Sequence, residues 1–154
     1  VDPRRRYGVW LHALLERITP PNGIADREFL RRSIGVTQEQ FESLWKDAQA
    51  LLAEPALARF FDPRQYRRAE NELAFVNASG ELRRIDRLVE FDHEIWVLDY
   101  KTGEGADTGD LAAAARPFRA QLAEYRAAVA RLIPGKPVRS AVVFGGGSMH
   151  VMDS

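Results

Sequence analysis

The sequence has no cysteine among its 154 residues. It therefore forms no disulfide, and it supplies no thiolate for a zinc site or an iron–sulfur cluster. No apolar run approaches the 18 residues that a membrane-spanning helix needs, and no signal-peptide segment follows the N-terminus. These absences predict a domain that works in a reducing, cytoplasmic compartment without membrane contact.

An excess of either charge is also missing, because 22 basic residues balance 22 acidic ones. This balance disfavours tight non-specific binding to a polyanion, and the clusters of basic residues are interpreted as solvated surface. These clusters are Arg4–Arg6, Arg31/Arg32, Arg67/Arg68 and Arg83/Arg84/Arg87. Lysine is scarce: only Lys46, Lys101 and Lys136 occur, so a lysine beside chemically active residues is informative.

The length and the hydrophobic fraction of 45% are typical of one globular domain, residues 1–154. The sequence does not begin with methionine, which suggests a domain excised from a larger polypeptide. Helical periodicity predicts helices at 5–18, 26–33, from Thr37 onward with a last short turn from Pro55 to Phe61, and 111–133. Alternation and turn signals predict strands at 68–76, 81–91, 94–101, 138–144 and 148–152. The pattern predicts an α/β fold, with a mixed central sheet of about four or five strands flanked by helices.

The strongest chemical signal lies in a predicted hairpin that turns at Asp92-His93. A two-residue turn there places residues whose numbers sum to 185 opposite each other, so Asp86 faces Asp99. Two opposed carboxylates destabilise a sheet unless a proton or a cation neutralises them, and hard divalent cations prefer carboxylate oxygens. Lys101 projects to the same face as Asp99. The alternative is a surface ion pair, with Asp86 paired to Arg84 or Arg87.

Other polar residues permit two interpretations each. His12 precedes Glu16 by one helical turn and is either a metal ligand or a histidine hydrogen-bonded at the edge of the core. Glu72 is either a surface acid or part of the site. Gln121 and Tyr125 lie one turn apart on the last predicted helix, where they either pack in the core or reach DNA.

Five segments, in order along the chain, resemble the RecB-like branch of the PD-(D/E)xK nucleases, the C-terminal nuclease domains of RecB- and AddA-type helicase–nucleases. The segments match the family's G-x-x-x-H-x-x-L-E helix, E-x-x-F strand, first-aspartate strand, D-Y-K-T-G core and Q-x-x-x-Y helix. They are residues 8–16, 72–75, 85–89, 97–103 and 121–125. The resemblance implies a restriction-endonuclease-like core.

The resemblance also implies roles for individual residues. His12, Asp86, Asp99 and the Tyr100 carbonyl would bind Mg²⁺ or Mn²⁺, and Lys101 would be the catalytic lysine. A second group would support the site or touch DNA, namely Glu16, Glu72, Gln121 and Tyr125. The absence of cysteine places the chain with the cluster-free members.

The function implied is hydrolysis of DNA phosphodiester bonds by an exonuclease or by single-strand cleavage, acting on single-stranded ends in double-strand-break repair or recombination. A helicase in the same polypeptide or complex would be the partner, since the chain has no Walker motif of its own. Two alternatives stay open: an inactive nuclease-fold module that binds DNA or a repair partner, and a hydrolase of another phosphate ester.

Overall fold

A mixed five-stranded sheet forms the centre of the computed structural model, which describes residues 2–19, 26–102 and 109–153. The strands are β1 (Arg68–Val76), β2 (Leu82–Glu90), β3 (Ile95–Lys101), β4 (Val138–Phe144) and β5 (Met149–Val151), in that spatial order. Only β3 and β4 run parallel; the other neighbours are antiparallel. The predicted α/β fold with a mixed sheet is therefore confirmed, and β3 is its central strand.

Helices cover both faces of this sheet. One face packs against α1 (Pro3–Ile18), α2 (Arg27–Ile34), α3 (Gln38–Leu52) and α4 (Ala58–Phe61). The other packs against α5 (Leu111–Ala115) and α6 (Arg119–Leu132), which lie in the crossover that a parallel β3–β4 pair requires. Among the described residues, no helix is long and apolar enough to cross a membrane.

The hairpin register follows the prediction. Arg87 pairs with Leu98, Val89 with Trp96, and Glu90 with Ile95, so each pair sums to 185. Asp86 and Asp99 are the next residues in this register, just beyond the last regular pair. Beyond the last pair, the Asp86 side chain accepts a hydrogen bond from the backbone N–H of Tyr100 at 2.7 Å.

Side chains of β1 and β2 change faces at one point along each strand. Ala69 packs against the α1–α4 face, whereas Leu73 packs against the α5–α6 face, although the two are an even number of residues apart. Val89 and Ile85 of β2 show the same reversal. The change occurs opposite Asp86, at Glu72, whose φ of 57° is left-handed. Pairing resumes beyond it in the same register.

Three expectations from the sequence are wrong. The helix at 111–133 is not continuous, because Pro117 lacks an N–H donor and a 3₁₀ turn (Arg116–Phe118) separates α5 from α6. The helical periodicity of 111–133 places Leu132 on the buried stripe, whereas the structure leaves it exposed. Arg87, interpreted as solvated, is fully buried.

Elsewhere the predicted bounds agree within a few residues. The capping box at Thr37 and Gln40 is present, whereas α4 begins at Ala58 rather than at Pro55. The sequence also predicts a turn at 19–23 and a Gly- and Asp-rich loop at 102–110, and both fall mostly outside the described residues.

Candidate active site

Side chains from α1, β1, β2 and β3 converge where the β2–β3 ladder ends. His12 comes from α1, Glu72 from β1, Asp86 from β2, and Asp99 and Lys101 from β3. Helix α1 is held against β3 here, because Thr102 Oγ1 donates a hydrogen bond to the Gly8 carbonyl at 3.0 Å.

His12 lies among three carboxylates. Its Nε2 atom is 2.8 Å from Glu16 Oε1, 3.1 Å from Asp86 Oδ1 and 3.5 Å from Glu72 Oε1. None of these oxygens accepts a well-aligned hydrogen bond from the buried nitrogen. Burial lowers the pKa of His12, but contacts with Asp86 and Glu16 outweigh it and raise the pKa to about 10.

Asp86 and Asp99 lie side by side in a nearly dry environment, 8% and 3% exposed. Their carboxyl groups are within hydrogen-bonding reach of each other. Burial and the neighbouring Asp86 charge raise the pKa of Asp99 to about 7, and Lys101 opposes the shift. Asp86 does not form the surface ion pair considered from the sequence, because Arg84 contacts Glu72 and Arg87 donates to Phe60 and Asn71.

Lys101 is on the same face as Asp99. Its Nζ is 3.2 Å from Asp99 Oδ2 and lies 4.6 Å from the centre of the Phe118 ring. Gln121 Nε2 donates to the hydroxyl of Tyr125 at 2.8 Å. Burial raises the pKa of Tyr125, and the charges of Asp99 and Asp86 add to the shift, so Tyr125 lies within electrostatic range of the two aspartates.

Glu16 and Glu72 complete the acidic cluster. With His12 they offer three possible ligand atoms that lie within 4.8 Å of one another. Burial and the nearby Glu16 carboxylate raise the pKa of Glu72 to about 7. The left-handed backbone of Glu72 is uncommon for a residue with a β-carbon, and such strain gathers at functional sites.

These residues fit a hard divalent cation. His12 Nε2 contacts Glu16, Glu72 and Asp86, and Asp86 in turn lies beside Asp99. Among the described residues, the ligand atoms of His12, Glu16 and Glu72 are the ones close enough to one another to share an ion as the side chains stand, and a single ring N–H cannot satisfy three oxygens. Oxygen ligands from carboxylates suit Mg²⁺ and Mn²⁺, and imidazole nitrogen also binds divalent transition metals. The backbone N–H of Tyr100 donates to the Asp86 side chain. The Tyr100 ring packs edge-on against the His12 ring, with 5.3 Å between the two ring centroids. The proposed role of its carbonyl stays a prediction.

Sequence reasoning missed the residues that support this cluster from behind. Arg87 Nη1 donates to Asn71 Oδ1 at 2.7 Å, one pair away from Glu72 and Asp86. Asn71 Nδ2 in turn contacts the Glu16 carbonyl at 3.2 Å and Thr19 Oγ1 at 2.9 Å. Only the adjacency of Asn71 and Arg87 to the two acids could have signalled this role.

Comparison with known proteins bears on the same residues. No curated protein sequence matches the chain closely enough to count as a relative. A family profile matches residues 1–149, which include all the side chains just described. The chain belongs to the PD-(D/E)XK nuclease superfamily.

Proposed function

We propose that the domain is a metal-dependent deoxyribonuclease of the RecB-like branch. The superfamily suggests a metal-dependent nuclease, and its members typically use divalent metals. The observation that carries the proposal is the pair of buried carboxylates, Asp86 and Asp99, with Lys101 against Asp99 and the His12 imidazole against Asp86.

His12, Asp86 and Asp99 would hold the cation, with Glu16 and Glu72 as further acidic ligands or as carboxylates that bind its water. A bound divalent cation would polarise the scissile phosphate and lower the pKa of a water molecule. Burial makes isolated negative charges on Asp86 and Asp99 unfavourable, so a bound cation beside them would be stabilised.

Lys101 would stabilise the negative charge that develops on the phosphate and orient the attacking water. The Asp99 carboxylate and the Phe118 ring fix its ammonium group on the sheet face where the acids lie. Tyr125 and Gln121 would orient the acidic pair or contact the substrate strand.

The remaining parts of the proposal concern context. We propose single-stranded DNA ends as substrate, in repair or recombination, with a helicase in the same polypeptide or complex delivering the strand. Residues 1–154 would act as one nuclease domain of a larger cytoplasmic protein. The neutral net charge supports a tethered partner, because the domain alone has little long-range attraction for DNA.

The test is cleavage of labelled single- and double-stranded DNA in EDTA, Mg²⁺ or Mn²⁺. We expect metal-dependent cutting by the unaltered protein and a loss of at least a thousandfold in Lys101→Ala and Asp99→Ala. Lys46→Ala is the matched control, since Lys46 is exposed on α3. An active Lys101→Ala protein would contradict the mechanism. DNA binding without cutting would favour an inactive module.

A further inference from the structure

A narrow groove runs from the metal-ligand cluster towards the start of α1. It has a volume of about 130 Å³ and is bordered by α1 on one side and by the end of β3 on the other. His12 and Lys101 line one end, and Arg5 and Val9 line the other. The Gly8–Thr102 hydrogen bond fixes the floor between the two elements.

The groove follows one face of α1. Residues 5, 9 and 12 are spaced four and three apart, so Arg5, Val9 and His12 share that face. The rise of 1.5 Å per residue puts Arg5 about 10 Å from His12 along the helix axis. That separation is short enough for one nucleic-acid strand to contact both residues.

Arg5 is available to a ligand. Its side chain is exposed, and among the described residues it takes part in no ion pair or hydrogen bond. Many other arginines of the described chain are engaged, such as Arg64 with Asp62 and Arg27 with Glu42. A guanidinium group that no carboxylate of the described residues contacts, beside the proposed phosphodiester-cleaving site, matches the bidentate geometry of a phosphate.

Val9 adds a second feature to the groove. It is 62% exposed, although it lies on the face of α1 that also carries a candidate metal ligand. An exposed aliphatic side chain between Arg5 and the acids can pack against a deoxyribose.

We propose that Arg5 is a substrate-positioning residue, which binds a backbone phosphate neighbouring the one that is cleaved. The substrate strand lies along the first three turns of α1, with a sugar against Val9 and the scissile phosphate at His12 and Lys101. This proposal rests on the proposed nuclease function, because it assigns the path of that enzyme's substrate. It makes α1 a strand guide as well as the source of a metal ligand.

The first arm of the test measures cleavage of a single-stranded oligonucleotide in Mg²⁺ by the unaltered protein, Arg5→Ala and Arg6→Ala. Arg6 is also exposed and lies in the same turn, so Arg6→Ala removes the same charge, but Arg6 does not line the groove. We expect Arg5→Ala to raise KM roughly tenfold with little change in kcat, because one charge-assisted phosphate contact is lost. The dependence of log kcat/KM on log salt concentration should flatten by about 0.7 for Arg5→Ala alone.

The second arm measures binding of the same oligonucleotide in Mg²⁺ by Lys101→Ala, with and without Arg5→Ala or Arg6→Ala. It separates the two proposals. If the unaltered protein does not cut, the proposed nuclease function fails. The strand path would still be supported if adding Arg5→Ala to Lys101→Ala weakened binding and adding Arg6→Ala did not. Equal effects of Arg5→Ala and Arg6→Ala, no effect of either, or a loss confined to kcat would overturn it.

Discussion

Replacing Asp99 with asparagine should make the metal-free protein more stable at pH 8. The Asp99 side chain is 3% exposed and lies beside Asp86, and its pKa is raised from 3.8 to about 7. The folded state therefore holds a proton between pH 4 and 7 that the unfolded state has released. Stability of the unaltered protein falls as pH rises through this window.

The size of the effect follows from the pKa. One pKa unit corresponds to about 1.4 kcal/mol, so at pH 8 the ionised Asp99 destabilises the folded state by about 4 kcal/mol. Asparagine removes this penalty but leaves Lys101 without its 3.2 Å partner, which offsets part of the gain. We expect a net increase of about 2 kcal/mol in the free energy of unfolding, or about 6 °C in melting temperature for a chain of this length.

The assay is equilibrium unfolding by urea in EDTA at pH 8 and pH 4. The gain should be present at pH 8 and largely absent at pH 4, where Asp99 is protonated in the folded state. Asp92→Asn is the control, since Asp92 lies in the turn of the same hairpin with 74% of its side chain exposed. A stability change of the same size at both pH values, or destabilisation at pH 8, would refute the reasoning about the carboxylate pair.

Three further predictions concern the acidic cluster and its support. Mn²⁺ affinity should rise as pH rises from 6 to 9, by about tenfold per pH unit for each proton that the ion displaces, because the pKa values of His12, Glu72 and Asp99 are all raised. Calorimetry in two buffers counts the displaced protons, and an affinity that does not change with pH would contradict this prediction. Glu72→Gly should raise the free energy of unfolding of the metal-free protein by about 1 kcal/mol, because glycine adopts φ 57° without strain. The same variant should bind Mn²⁺ more weakly. Glu72→Gln keeps the strained backbone, so it should gain no stability from relief of that strain. Asn71→Ala should destabilise by about 2 kcal/mol in urea unfolding, because the buried Arg87 loses a hydrogen-bond acceptor; an effect below about 0.5 kcal/mol would show that the contact is not structural.

Much of the architecture could be predicted because local signals agree with it. The apolar run Ile95–Leu98 is typical of a covered central strand, and β3 is one; the two-residue turn predicts a register that the structure keeps. The opposed aspartates followed from that register alone. His12 entered through resemblance, since no spacing rule connects a histidine on α1 to a hairpin far along the chain.

Other features depend on tertiary contacts that the sequence does not show. The burial of Arg87 is set by acceptors on Phe60 and Asn71, which are distant in sequence. The change of face at Glu72 cannot be inferred from alternation, because alternation assumes an unbroken pleat. Pro117 was visible in the sequence, but the periodicity on either side of it suggested one helix.

The hydrogen bond between Thr102 and Gly8 joins residues 94 positions apart, whereas Asp86 and Asp99 belong to one hairpin. Short loops close with less entropy loss than long ones, so the hairpin can form before α1 docks. The two carboxylates would then come together before His12 and the groove are in place. We expect the hairpin that carries Asp86 and Asp99 to form before α1 docks. A folding intermediate at that stage would bind cations through these two carboxylates but would not position a substrate strand.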